Sequence, residues 1–170
     1  MKRLSTLLLL ALIALALPPP APVGIAPAEA PAPRWNWPLA APHAIARPYL
    51  APETPYAAGH RGIDIRAHTR VVTAPDAGVV HFAGIVVDRP VLSIRHDGGF
   101  LSSYEPVTTT LQKGDAVARG DPVGEVLAGH CASPCLHFGV RLYGEYVSPL
   151  LLLGGVPRAV LLPTRADRGG

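Results

Sequence analysis

Short apolar segments separated by turn residues dominate the chain from about residue 35 to residue 153. β-Branched and other apolar residues fill positions 71–73, 79–83, 85–87, 91–96 and 100–104. Gly, Pro and Asp interrupt these runs at 74–78, 88–90 and 97–99. Such spacing is typical of antiparallel strands. After the first 17 residues no stretch keeps a helical period, so the pattern predicts an all-β domain.

The N-terminal segment has a different pattern. Lys2 and Arg3 precede an apolar run of about 14 residues, shorter than the roughly 20 needed to span a bilayer, and a Pro- and Ala-rich stretch follows. This order predicts a signal peptide over residues 1–30, with an uncleaved membrane anchor as the alternative. We expect a linker and lead-in at 31–50, one domain at 51–153 and a C-terminal extension at 154–170.

Charge gives little support for a nucleic-acid partner. The chain has 15 Lys and Arg residues against 12 Asp and Glu residues. Without Lys2 and Arg3 the basic residues fall to 13, so an exported chain would be close to neutral. A near-neutral protein lacks the basic surface that binds a phosphate backbone. We therefore expect no nucleic-acid partner, and membrane contact only through the N-terminal segment if it is uncleaved.

Two histidines and an aspartate are candidate metal ligands. His60 and Asp64 lie four residues apart, and His137 lies far downstream. Residues 135–142 alternate, so Cys135 and Gly139 share the face of His137 while Leu136, Phe138 and Val140 face the core. Two ligands close in sequence plus a distant histidine commonly hold zinc. Alternatively, these side chains satisfy local backbone groups or lie exposed on a strand.

The two cysteines, Cys131 and Cys135, leave three alternatives open. Export would permit a disulfide between them, although the loop it closes is very short. The other two alternatives are a pair of free thiols and a Cys135 thiolate that coordinates zinc. A fourth protein ligand would make the zinc site closed and structural rather than catalytic.

Residues 56–153 resemble the lysostaphin/LytM-type family of peptidoglycan metalloendopeptidases. The motifs that carry the resemblance are His60-Arg-Gly-Ile-Asp64, Ala74-Pro-Asp-Ala-Gly78, Ile94-Arg-His96-Asp-Gly98-Gly99, Tyr104, Gly114-Asp-x-Val117-x-x-Gly120, Leu136-His137-Phe138 and Pro149. The resemblance implies a twisted, sandwich-like antiparallel sheet with a groove. It also implies one Zn²⁺ held by His60, Asp64 and His137, with a fourth position free for water.

The same resemblance implies a function. The expected substrate is a peptide bond in a peptidoglycan stem or cross-bridge, and the expected location is secreted or cell-wall associated. Water activated by zinc would be the nucleophile, since zinc lowers its pKa towards about 7.

The chain departs from the family pattern at two positions. Family members carry an assisting histidine two residues before the last ligand and another two residues after the strand tyrosine; here Cys135 and Pro106 occupy those places. His130, in the loop before the ligand strand, is one candidate replacement. Glu105 is another if a bulge turns it towards the site, because neighbouring strand residues face opposite ways.

Two functions are consistent with these residues. The first is an exported zinc metalloendopeptidase that cleaves peptidoglycan peptides, which the three metal ligands favour. The second is a wall-binding or regulatory domain with little or no hydrolysis, which the replacements at Cys135 and Pro106 favour.

Overall fold

The computed structural model describes residues 34–54 and 56–154. The predicted signal segment and nearly all of the C-terminal extension lie outside these residues. The described strands are β1 (Ile45–Arg47), β2 (Gly62–Arg66), β3 (Val71–Thr73), β4 (Gly78–Val86), β5 (Arg89–Arg95), β6 (Phe100–Glu105), β7 (Val107–Thr108), β8 (Ala116–Val117), β9 (Pro122–Val126), β10 (Cys135–Leu142) and β11 (Glu145–Val147). A 3₁₀ turn spans Asp97–Gly99, and helix α1 spans Leu150–Leu153.

The strands form two antiparallel sheets. The larger sheet has the order β1-β2-β10-β6-β5-β4-β8, with β11 also paired to β10. The smaller sheet has the order β3-β9-β7. The predicted all-β, antiparallel fold is confirmed. Within the described residues, no helix has the length and apolar character needed to cross a bilayer.

The β4–β5 hairpin differs in detail from the sequence prediction. Positions 79–83 and 85–87 were expected to form separate strands, but β4 is continuous and the chain turns at Val87, which has a φ of 60°. Pro90, expected in the turn, lies in β5. A proline lacks the N–H that a central strand needs. Pro90 is tolerated because the pairing of β5 with β6 begins only at Leu92.

The core lies against one face of the central strands, the face that carries every second, apolar side chain. Leu136, Phe138 and Val140 of β10 are fully buried, as the alternation predicts. They pack with residues of the neighbouring strands, including Ile63, Ile65, Leu92, Ile94 and Tyr104. Burial of an aliphatic or aromatic side chain of this size contributes about 1.5–3 kcal/mol. This packing holds β2, β10 and β6 side by side.

Both ends of the described region join this core. Trp35 and Leu39, from the predicted lead-in, are 1 % and 3 % exposed. The amide of Trp35 donates to the carbonyl of Leu152 in α1 over 3.0 Å. Leu152 and Leu153 are buried in turn. The lead-in residues Trp35 and Leu39 therefore form part of the folded domain.

A buried hydrogen-bond chain runs through His96, which is 5 % exposed. Its Nδ1 lies 2.8 Å from the carbonyl oxygen of Ala77, and its Nε2 lies 2.7 Å from Ser102 Oγ. Ser102 Oγ also lies 2.9 Å from the Tyr104 hydroxyl. A carbonyl only accepts, so Nδ1 carries a proton and Nε2 is free to accept from Ser102. Neutral His96 satisfies every group in this chain.

We expect the buried hydrogen bonds of His96 to make the stability of the domain depend on pH. Burial lowers the pKa of His96, although Asp76 and Asp97 oppose the effect. The unfolded state takes up a proton near pH 6.5 while the folded state resists it, so stability is full above that pH and falls on acidification. Denaturant titrations at several pH values between 7 and 5 test this. His96→Gln should flatten the dependence, and an unchanged slope in that variant would contradict the assignment.

Candidate metal centre

Strand pairing brings the three predicted ligands together. In the β2–β10 pair, Asp64 lies directly opposite His137. His60 precedes β2 and exchanges two backbone hydrogen bonds with Leu50, of 3.0 Å and 2.9 Å. These bonds hold His60, in the turn before β2, against the segment that contains Leu50. Residues 77 positions apart in the chain therefore share one site.

The ligand atoms form a compact triangle. His60 Nε2 lies 3.1 Å from Asp64 Oδ1 and 3.1 Å from His137 Nδ1. His137 Nδ1 lies 2.8 Å from Asp64 Oδ1. Donors bonded to zinc at about 2.0–2.1 Å in tetrahedral geometry stand roughly 3.3 Å apart. The triangle is therefore close to the size of one face of a zinc coordination tetrahedron.

The hydrogen bonding of His60 also fits a cation. His60 Nδ1 lies 2.7 Å from the carbonyl oxygen of Pro48, which can only accept. The Nδ1 proton is therefore committed, and the lone pair of Nε2 points at Asp64 and His137. A histidine that donates its other N–H to a carbonyl is the usual state of a zinc ligand. With His137 Nδ1 deprotonated, all three atoms would offer an electron pair to one point, and the three side chains could hold a metal ion there.

Protonation favours the same interpretation. Burial alone would raise the pKa of Asp64, but the hydrogen bond with His137 and the charges of the surrounding imidazoles outweigh it and lower that pKa. Burial lowers the pKa of His137, against the opposing effect of Asp64. At neutral pH the site therefore holds a carboxylate and a neutral imidazole, which are the forms that bind metal.

Gly62 makes room for the His137 ring. A Cβ on Gly62 would lie 2.5 Å from the Phe138 carbonyl oxygen and 2.8 Å from Cε1 and Nε2 of His137. We expect Gly62→Ala to displace the ring, to weaken zinc binding at least about tenfold and to destabilise the fold by about 1–3 kcal/mol. Competition titration and thermal unfolding measure these effects.

Gly84→Ala is the matched control for this substitution. Gly84 is also a strand glycine, but its Cβ would meet only the end of the Phe82 ring, at 3.1 Å. Zinc affinity should stay at the wild-type value in this control. Equal affinities of Gly62→Ala and wild type would show that the ring does not need this space.

His130 reaches the same site from the loop between β9 and β10. Its Nε2 lies 3.2 Å from Asp64 Oδ1, and its ring lies 5.3 Å from the ring of His137. The side chain is 18 % exposed. Its Nδ1 is buried and makes no hydrogen bond, and the Glu105 Oε1 atom lies 3.8 Å from it.

Glu105 faces the site without a bulge. The pairing of β6 with β10 is regular from Phe100 to Glu105, and Glu105 lies opposite His137. Tyr104 is fully buried, so its neighbour points to the other face, where the metal ligands lie. The expectation that Glu105 needs a bulge is therefore wrong. Ordinary alternation is enough.

Arg89 is a site residue that the sequence patterns missed. Its Nη1 donates to Glu105 Oε1 over 3.0 Å, and its Nε donates to Asp88 Oδ1 over 2.9 Å. A cavity of about 220 Å³ runs from Arg89 to His130 past Pro106. The residue lies in a predicted turn, and no local motif signals that the hairpin carries it to Glu105.

The structure joins Cys131 to Cys135 in a disulfide, with a Cα–Cα distance of 5.9 Å. A disulfide sulfur is not a thiolate, so Cys135 supplies no metal ligand in this state. Pro106 borders the cavity beside His130 and has no acidic or basic group. Neither residue can transfer a proton, which leaves His130 and Glu105 as the proton-carrying groups beside the three ligands.

Comparison with known proteins identifies the family. Residues 58–149 match the model of Peptidase family M23. The uncharacterized protein Rv2891 of Mycobacterium tuberculosis is 39 % identical over an alignment of 131 residues, and the alignment covers 72 % of this chain and 52 % of Rv2891. The chain thus spans about half the length of the curated relatives it matches.

Solved structures share the fold. A zinc containing peptidase from Vibrio cholerae aligns with a TM-score of 0.54 at 24 % identity, over 67 % of this chain and 38 % of that one. A chain of the SpoIIQ–SpoIIIAH pore forming complex aligns with a TM-score of 0.57 at 18 % identity, over 71 % of this chain and 92 % of its own. These likenesses show the fold alone. With the family match over more than half of its length, the chain belongs to peptidase family M23, in agreement with its lysostaphin/LytM-type motifs.

Proposed function

We propose that the protein is an exported zinc metalloendopeptidase that hydrolyses peptide bonds in the stems or cross-bridges of peptidoglycan. The observation that carries the proposal is the triangle of His60 Nε2, Asp64 Oδ1 and His137 Nδ1, with sides of 2.8–3.1 Å. Three protein ligands leave one coordination position open, which is the arrangement of catalytic zinc sites. Membership of a peptidase family supports the same conclusion.

Each ligand has a defined task in this proposal. Bound zinc supplies a Lewis acid that polarises the scissile carbonyl and lowers the pKa of water. His60 is oriented by the Pro48 carbonyl, which keeps its Nε2 lone pair directed into the site. Asp64 supplies the negative charge of the ligand set. His137 is fixed by β10, whose core residues prevent the strand from shifting.

His130 is the proposed proton-transfer residue. Its Nε2 lies 3.2 Å from the Asp64 ligand oxygen. In the tautomer with the proton on Nδ1, Nε2 can take a proton from the attacking water and return it to the departing amine. Glu105, held by Arg89, lies on the Nδ1 side of the ring, with its Oε1 3.8 Å from that nitrogen. In this scheme His130 and Glu105 perform the work for which Cys135 and Pro106 are chemically unsuited.

The test is digestion of isolated cell wall by the purified full chain in the presence of zinc, with new amino termini identified by mass spectrometry. Wild type should release them and His60→Ala should not. His81→Ala is the matched control, because His81 is a strand histidine paired with Arg95 at a different place in the large sheet. Equal release by wild type and His60→Ala would contradict zinc-dependent cleavage.

A wall-binding or regulatory role is the second candidate. It is favoured by the disulfide-bonded Cys135 and by Pro106, which remove both imidazoles of the family pattern. A matching fold in a chain of a pore forming complex supports the idea that this architecture also serves assembly. The same digestion distinguishes the two: protein that co-sediments with wall but yields no new amino termini is a binding domain.

A further inference from the structure

The disulfide lies beside the candidate active site. Cys135 is the first residue of β10, is 1 % exposed and lies two positions before His137. Cys131 directly follows His130 in the loop. The bond therefore ties the residue next to His130 to the strand that carries a metal ligand.

This bond is poorly placed to stabilise the whole domain. It joins cysteines only four positions apart, and the stabilisation that a disulfide gives by restricting the unfolded chain grows with the length of the loop it closes. β10 is already paired on both sides, with β2 and with β6. The main effect of the bond is therefore expected to be local, on residues 128–134.

His130 depends on that loop for its position. Its Nε2 lies 3.2 Å from Asp64 Oδ1, while its buried Nδ1 makes no hydrogen bond. The preceding Gly129 has a φ of 117°, a conformation that favours glycine, and a glycine has no Cβ to restrict the backbone to one path. The tether through Cys131 is the covalent restraint that limits where the imidazole can go.

We propose that the Cys131–Cys135 disulfide is a positioning element of the active site. It holds His130 against Asp64, so that proton transfer depends on the oxidised cysteines while metal binding does not. His60, Asp64 and His137 are set by β2 and β10 and do not need the loop. The inference rests on the proposed function, and it adds that the enzyme reaches full activity only where disulfides form.

The first test removes the bond with Cys131→Ala/Cys135→Ala in the full chain. Zinc affinity should stay within about threefold of wild type, and kcat on a soluble wall peptide should fall at least about tenfold with little change in KM. General acid–base help amounts to about 10²–10⁴-fold, so the loss should not exceed that of His130→Ala. Loss of zinc binding in the folded double variant would overturn the proposal.

A mutant cycle with His130 separates positioning from general damage. If the disulfide acts through His130, removing it from His130→Ala should change kcat less than about twofold. An equal loss of kcat in wild type and in His130→Ala would mean that the disulfide acts through a residue other than His130. A second variant, with two glycines inserted between His130 and Cys131, keeps the bond and breaks the tether. It should lower kcat like the double variant, and wild-type activity in it would overturn the proposal even if the double variant fails to fold.

A spectroscopic readout separates this proposal from the proposed function. In protein loaded with Co²⁺, the paramagnetic ion should shift the ring NMR signals of His130, which His130→Gln identifies by their loss. The shift should be large with the disulfide present and should shrink in the double variant. An unchanged shift would contradict positioning by the bond. If wild type cleaves no wall, the proposed function fails, and this measurement still decides the role of the disulfide.

Discussion

His137→Ala is expected to abolish zinc binding and wall cleavage while leaving the fold intact. Loss of a partner outside the ligand set already costs about 10–100-fold in metal affinity, so loss of a ligand should cost more than about 100-fold. The other two ligands remain, but two protein donors do not define a catalytic zinc site. The fold should persist because the side chain lies on the face opposite the buried Leu136 and Phe138.

Two measurements test the loss of zinc binding in His137→Ala: the zinc content of the protein after dialysis, and its thermal unfolding with and without zinc. At a free zinc concentration of 100 times the dissociation constant, wild type should gain about 2.7 kcal/mol of stability, and His137→Ala should gain none. His81→Ala, a strand histidine outside the site, should behave as wild type. Stoichiometric zinc bound by His137→Ala with unchanged affinity would show that the three side chains do not share an ion.

His130→Ala is expected to lower kcat by about 10²–10⁴-fold and to keep its zinc. This is the range of a general acid–base residue. The imidazole lies 3.2 Å from Asp64 Oδ1, whereas Cys135 and Pro106, which occupy the family positions, carry no titratable group in this structure. Steady-state kinetics on a wall peptide, together with zinc titration of the same sample, separate the rate from metal binding.

Glu105→Gln is the variant whose loss of kcat is to be compared with that of His130→Ala. Glu105 lies 3.8 Å from His130 Nδ1 and has Arg89 as its own partner, so its loss should cost less than that of His130. An unchanged kcat in His130→Ala would assign proton transfer to another group. A larger loss in Glu105→Gln than in His130→Ala would make the carboxylate, rather than the imidazole, the main acid–base group.

Much of the fold followed from local pattern. Leu136, Phe138 and Val140 alternate with His137 and Gly139, and this alternation correctly separated the core face of β10 from the opposite face. Strand limits at the β4–β5 hairpin were less predictable. The turn falls at Val87, and β5 can contain Pro90 because β6 does not pair with β5 before Leu92. Strand pairing of this kind is a property of the whole sheet and cannot be predicted from the segment alone.

The accessory residues of the site were harder to predict. Glu105 was expected to need a bulge, yet the register of β6 with β10 turns it towards the ligands directly. Arg89 was not identified at all, because its relation to Glu105 exists only after β5 and β6 pair. His130 was identified as a candidate by its place in the loop, but its distance from Asp64 depends on the path of that loop and on the disulfide.

The sequence by itself determined the antiparallel β class, the family and the three candidate ligands, because alternation and motif spacing are properties of short segments. Only the tertiary structure decided which side chains surround Asp64. Its neighbours His130 and His137 lie 66 and 73 positions away in the chain, and strand register and loop closure over such separations are set by burial of a shared core. The position of His130 in the sequence made it a candidate, and the packing of the loop sets its distance from Asp64.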